Sequence, residues 1–239
     1  MVEKDKLSEL RKLNIRLTAQ ALRESVKPDN LIIQAIDCIA EIEKAANILV
    51  KRLREWYELY NPELSRDIAD NERFVKEIRE NDGKKDGSIG AELSEKDIEQ
   101  IRELGTKVNM LYELKNSNEK YIEELMQEHL PNTLAVAGSL VGAKLVSQAG
   151  SLKHLSEIPA STVQILGAEK ALFRHMRTGA KMPKYGILHQ HQIVQKAGKL
   201  QGKAARVLAD KISIGAKVDY FHGEFIGDKL LAEVKRKLK

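Results

Sequence analysis

Between Leu31 and Tyr60 the apolar side chains Ile32, Ile36, Ile39, Ile42, Ala46, Leu49, Leu53, Trp56 and Tyr60 recur at steps of 4, 3, 3, 4, 3, 4, 3 and 4. An α-helix brings residues at that spacing onto one face, and so long a run makes a coiled-coil-like seam that a second helix has to bury. Asp29 or Asn30 can cap its start, because a short side-chain oxygen accepts from an otherwise orphan N–H. Asn61-Pro62 fits its stop. Such a helix is about 45 Å long at roughly 1.5 Å per residue.

The partner stripe lies downstream. Residues 63–80 read as a further helical piece, and NDGKKDGSIG (81–90) as a turn or mobile tip. Helical periodicity then resumes through Leu93, Ile98, Ile101, Leu104, Val108, Leu111, Leu114, Ile122, Leu125 and Met126, with Ser94 as N-cap and Asp97 in the place of a capping-box acid. An antiparallel helical hairpin follows, and an arm this slender exposes enough seam to favour pairing with a second copy. After His129-Leu130-Pro131-Asn132, the small residues at 135, 137, 138, 139, 142 and 143 predict a tightly packed internal helix. Gly150-Ser151 and Ile158-Pro159 break the pattern, and Ser161-Thr162 can begin the next helix.

Aromatic residues make up only 5% of the 239-residue chain, and it contains 5 prolines among abundant helix formers, which disfavours a strand-based core. The expected fold is all-α: an N-terminal helical segment (1–27), a coiled-coil arm (28–130) and a compact helical module (131–239). The single cysteine, Cys38, sits in an apolar helical stretch and cannot form an intrachain disulfide, which fits a reducing, cytoplasmic setting. The start, MVEKDKLSELRKL, has no apolar core of a signal peptide, and Thr133 to Val146 is too short for a span and contains Lys144. A soluble protein with no membrane partner is expected.

Charge separates the two ends. Residues 161–239 hold 16 Lys and Arg against 6 Asp and Glu, a net +10, which leaves 24 against 29, a net −5, for residues 1–160. A polyanion partner is therefore expected for the C-terminal module alone. Within it, GAEKALFRHMRTGAKMPKYGILHQH (167–191) gathers Gly167, Gly179 and Gly186, which permit positive φ or close backbone approach, with Lys170, Arg174, Arg177, Lys181 and Lys184, suited to phosphate oxygens. Residues 192–212 read as one helix, on which Lys196, Lys199, Lys203 and Arg206 step 3, 4, 3 along a face that meets no acid before Asp210.

Phosphate contacts attract without selecting, so discrimination among RNAs is assigned to Gln190, which can donate and accept at a base edge, His191, which can stack or hydrogen-bond, and Val194, one turn on. Catalytic readings fail on their chemistry. Gly198-x-x-x-Gly202-Lys203-Ala204 is one residue short of a P-loop and lacks the magnesium-binding hydroxyl; His189-x-His191 has no further ligand shell; no nucleophile elbow occurs. Neither an enzyme nor a cofactor nor a metal site is expected.

These segments carry a family resemblance. Gly167-Ala168-Glu169-Lys170, Ala171-Leu172-Phe173-Arg174, the Thr178-Gly179-Ala180-Lys181 turn, Gly186 to Val194, Gly202-Lys203-Ala204-Ala205-Arg206 and Val218-Asp219-Tyr220-Phe221, with LVKRLREWYELYNPEL (49–64) upstream, together resemble the Nop domain family, of the archaeal box C/D guide-ribonucleoprotein type. The resemblance implies a homodimer through the arm. It also implies a C-terminal domain that binds kink-turn RNA already held by a small kink-turn-binding protein, in support of guide-directed RNA 2′-O-methylation. It places Lys170, Gln190 and Val194 in the composite contact, Arg174 near the junction of the box C/D motif with the guide duplex, and Lys199, Lys203 and Arg206 on a basic helix; Glu169 would hold local backbone. Family members of this type carry an N-terminal domain that docks fibrillarin, and the residues before 28 are too few to form it, so fibrillarin stays an open partner. Met182, His189 and Gln192 depart from the proline, aromatic residue and proline usual at those places. A spliceosomal-type kink-turn factor and a protein-only coiled-coil adaptor are the alternative readings.

Overall fold

The computed structural model describes residues 2–80, 84 and 87–238, so much of the tip expected at 81–90 lies outside the described residues. The chain is all-α, with no strand among the described residues. Its helices are α1 (Val2–Ser25), α2 (Pro28–Tyr57), α3 (Pro62–Asp67), α4 (Asn71–Glu80), α5 (Glu95–His129), α6 (Pro131–Ala137), α7 (Ser139–Ala149), α8 (Leu152–Glu157), α9 (Ala160–Ile165), α10 (Glu169–Thr178), α11 (Gln192–Lys196), α12 (Gln201–Tyr220) and α13 (Gly227–Leu238). Short 3₁₀ turns occupy Ile187–Gln190 and Gly198–Leu200. Among the described residues no helix is long and apolar enough to cross a membrane. Two compact units result, residues 35–124 and residues 1–34 with 125–239.

In the unit of residues 35–124, Val50, Leu53 and Tyr57 of α2 pack with Phe74, Val75 and Ile78 of α4 and Ile101 and Val108 of α5. The seam of α2 keeps the expected positions through Ala46 and at Leu53, while Val50 and Tyr57 take the places of Leu49 and Trp56. Val50, Leu53 and Tyr57 are buried, Leu49 and Tyr60 only partly covered, and Trp56 is 37% exposed. A straight helix of 3.6 residues per turn drifts against a 3.5-residue repeat, so by its last turns the buried face has moved on. Arg54 uses that shift: its guanidinium donates to Asn71 Oδ1 and to the carbonyls of Ser65, Ala69 and Asp70, and it lies 4.1 Å over the Phe74 ring. One side chain thus satisfies the backbone that turns between α3 and α4. The α5 start is as expected, with Ser94 Oγ accepting from Asp97 N–H and donating to Asp97 Oδ2.

The start of α2 is arranged otherwise than expected. The helix begins at Pro28, and Asn30 Oδ1 accepts from Lys27 N–H at 2.8 Å. Asp29, nearly buried, instead accepts from Leu152 N–H at 2.9 Å, at the first residue of α8, where Ser151 Oγ accepts from His154 N–H. The carboxylate caps a helix 123 residues downstream. At the other end α2 stops at Tyr57, before Asn61-Pro62 as expected; Asn61 N–H donates to Tyr57 O at 2.8 Å, and Asn61 Oδ1 accepts from Leu64 N–H and starts α3.

In the unit that contains residues 125–239, α12 is the central helix, packed by α6, α8, α9, α11 and α13. Ala204, Ala205, Leu208, Ala209, Ile212 and Ala216 form its buried face, and these small side chains let neighbours approach closely. At its end Asp219, almost fully buried, accepts from Asn132 N–H (3.0 Å), Asn132 Nδ2 (2.9 Å), Thr133 N–H (2.8 Å) and Thr133 Oγ1 (2.7 Å). Leu130, the residue before α6, offers no side-chain cap, so Asp219 supplies one from the far end of the unit. Asn132 Oδ1 then accepts from Ile226 N–H at 2.7 Å and fixes the approach to α13. Lys211 on α12 pairs with Glu233 on α13 at 2.6 Å; that hydrogen bond raises the Lys211 pKa and lowers that of Glu233. Asp219→Ala should lower the unfolding free energy in urea by roughly 3 kcal/mol, because it strands several buried donors at once. Asp219→Asn should not restore it, since an amide turns a donor toward donors.

Candidate nucleic-acid interface

The run 167–191 is a closed excursion from the second unit. At its base Gly186 N–H donates to Gln164 O at 3.0 Å, Ile187 N–H to Leu166 O at 2.8 Å, and Gln164 Nε2 to Lys184 O at 2.7 Å. This neck explains two of the glycines. Gly167 adopts φ +87°, and a Cβ on Gly186 would lie 2.0 Å from Leu166 O, so the two chain segments pass closer than any side chain allows. Glu169 accepts from Gly167 N–H at 2.7 Å, the local backbone role expected of it. The far turn is tied by His175 Nδ1 to Ala180 O.

No residue of α10 is fully buried. Lys170, Arg174 and Arg177 are exposed on it, together with Phe173 at 59% and Met176 at 62% exposure. Lys181 is exposed in the following loop. The return segment stacks Tyr185 on His189, centroids 5.0 Å apart and 9° between planes, with Tyr185 Oη donating to Gln201 Oε1 at 2.8 Å.

Gln190 is exposed at the end of the 3₁₀ turn, where its Oε1 accepts from Lys144 Nζ at 2.7 Å. Lys144, on α7, therefore occupies the acceptor end of the amide and orients its NH₂ end, a role for which its sequence context gives no sign. His191 caps α11: its Nδ1 accepts from Ile193 N–H at 3.2 Å, and a hydrogen bond to the Val136 backbone engages the ring. Burial lowers its pKa from the ordinary 6.5, with the Val136 hydrogen bond opposing that shift. An unprotonated Nδ1 is what the cap requires.

Two expectations change. Val194 is fully buried, so it presents no surface of its own for RNA. Residues 192–212 are not one helix: α11 ends at Lys196, Gly198 takes φ +52°, and Lys199 sits in the 3₁₀ turn before α12 begins. The even step of Lys196, Lys199, Lys203 and Arg206 along a single face is therefore broken. Lys203 and Arg206 remain together, exposed on α12, and with Lys184 and Lys237 they line a groove of about 890 Å³. Lys237 belongs to the basic run KRKLK (235–239), and no local periodicity connects it to α12. Among the described residues no group of His, Cys, Asp and Glu is placed to hold a metal ion.

The family model for the Nop domain, described as a snoRNA binding domain, fibrillarin, matches residues 38–239. The chain is 37% identical over 235 residues to an uncharacterised NOP5 family protein of Methanocaldococcus jannaschii, covering 88% of this chain and 56% of that protein. It is 38% identical over 236 residues to nucleolar protein 56 of Caenorhabditis elegans, covering 83% and 49%, and 39% identical over 217 residues to nucleolar protein 58 of Aspergillus oryzae, covering 81% and 38%. The chain thus spans about half the length of the curated relatives it matches. A chain in the crystal structure of a fibrillarin/Nop5p complex superposes with a TM-score of 0.60 at 25% identity, over 98% of this chain and 78% of that one.

Two measurements check the local geometry. Gly186→Ala should cost about 1–3 kcal/mol, since the methyl group forces the neck apart, and should speed amide exchange at Ile187. In an NMR titration His191 should titrate below 6.5. Because the unfolded chain then binds the proton more readily, the contribution of His191 is complete above its unfolded value and is lost as pH falls toward the folded one.

Proposed function

The chain belongs to the Nop family, and from that premise we propose that it is a non-catalytic ribonucleoprotein assembly protein. It binds box C/D-type kink-turn RNA together with a primary kink-turn-binding protein, and so supports guide-directed 2′-O-methylation carried out by another subunit. The observation that carries this reading is the convergence, within one unit, of three kinds of surface. The tied excursion 167–191 presents exposed cations beside Phe173 and Met176; Lys144 and Gln190 form an oriented polar pair; Lys203 and Arg206 share a cation-lined groove. Mixed apolar and cationic surface suits a partner that is part protein and part RNA, because phosphates want charge and a folded protein wants contact area.

Within this reading Lys170, Arg174, Lys181, Lys199, Lys203 and Arg206 attract phosphate, and Gln190 discriminates at its free amide edge. His191 and Gly167 hold the backbone that presents them. The unit of residues 35–124 is proposed to pair two copies. Met110, Leu114 and Tyr121 of α5 are 41–52% exposed along one helical face, an apolar stripe that this unit leaves uncovered.

In gel shifts the protein should bind the kink-turn RNA only when its primary binding protein is present, and affinity should fall with salt at a log-log slope of roughly −0.7 to −0.9 per neutralised phosphate. Lys203→Glu should weaken all related RNAs alike, whereas Gln190→Ala should change the ranking among junction sequences. Equal affinity of both variants and the unaltered protein would reject the assignment, and a partner bound equally well without RNA would favour a protein-only adaptor. By light scattering at micromolar concentration the protein should be a dimer, and Met110→Glu with Leu114→Glu should make it a monomer.

A further inference from the structure

The groove of about 890 Å³ draws its charge from segments far apart in sequence: Lys184 from the excursion, Lys203 and Arg206 from α12, Lys237 from α13. Asp210 is the one acid among the groove residues, for a net +3. The Lys184 stem packs at the start of α12, where a Cβ on Gly202 would meet it at 3.7 Å, an ordinary contact.

Apolar side chains line the groove beside the cations. Ile165, Pro183 and Val207 line it, and Met182 is 53% exposed. A paired RNA helix turns its phosphates and sugars outward and hides its base faces, so a surface for duplex alone gains nothing from apolar groups between its cations. An unpaired strand presents phosphates and bare base faces side by side, and the groove offers a complement to each. Gln164, whose amide nitrogen is engaged by Lys184 O, and the half-exposed Asp210 carboxylate, which pairs with Lys211 through Oδ2 at 3.5 Å, place acceptor oxygens in the groove. Acceptors there suit exocyclic amino groups, as on adenine or cytosine, over the carbonyls of uracil.

We infer that this groove binds an unpaired RNA segment, with its phosphates on Lys184, Lys203, Arg206 and Lys237 and a base face against Met182 and Pro183. The inference rests on the preceding reading that the protein binds RNA, and it adds the C-terminal helix α13 to the interface and a strand state to the ligand.

The test uses the full chain with the kink-turn-binding protein and three fluorescent kink-turn RNAs, one blunt-ended, one with four unpaired adenosines and one with four unpaired uridines. Wild type should bind the adenosine form at least about fivefold more tightly than the blunt form, and the uridine form less tightly than the adenosine form. Lys237→Glu and Met182→Gln, both at exposed positions, should each remove that increment while blunt-end affinity changes less. An extension that adds nothing, or an increment that survives in both variants, overturns the inference and leaves the preceding reading intact when blunt RNA still binds. Loss of the kink-turn-binding protein in RNA-free pull-downs by the same variants would make the groove a protein surface, which also overturns it. Failure to bind every RNA removes both.

Discussion

The Asp219 carboxylate is the constraint from which the second unit is built. It stands 86 and 87 residues from the donors it satisfies, so α6 and the end of α12 must meet before either helix terminus is complete. A buried carboxylate is tolerable only with several donors, and a helix start without its own cap is tolerable only with an acceptor brought from elsewhere. Each defect is the remedy for the other. The α12 axis is thereby fixed at one end, and the other end carries Lys203 and Arg206.

Asp29 repeats the device at the start of α8, and Arg54 repeats it with opposite sign in the unit of residues 35–124, where carbonyls and not amides lacked partners. All three are charged side chains spent on distant backbone. In a chain with 31% charged residues, some of the charge is therefore structural.

Much of the architecture was legible in the sequence because helical periodicity and caps are local. The α2 seam through Ala46, the Ser94 cap and the Gly150-Ser151 break all follow from residues within a few positions of one another. The same locality explains the failures. Asp29 looked like a cap for the helix it opens, since nothing nearby announces that Leu152 needs it. The cationic step at 196–206 looked continuous because Gly198 is tolerated in many helices, and only the fold dictates its positive φ. Val194 was placed one turn from Gln190 on a helix, whereas a 3₁₀ turn and the His191 cap rotate it inward. The roles of Lys144 and Lys237 are not legible in the sequence, because their partners are assembled by packing and not by spacing.

The neck at 164–187 has a thermodynamic consequence. An open excursion of this length would have to lose its conformational freedom in the act of meeting a partner, and that loss would be subtracted from affinity. Here three hydrogen bonds and two glycines close the loop during folding. Yet α10 keeps no buried residue, so little packing resists its adjustment as a body. The excursion is thus preorganised in shape but compliant in position, a handle whose entropy has been settled in advance and whose angle is left for the partner to set.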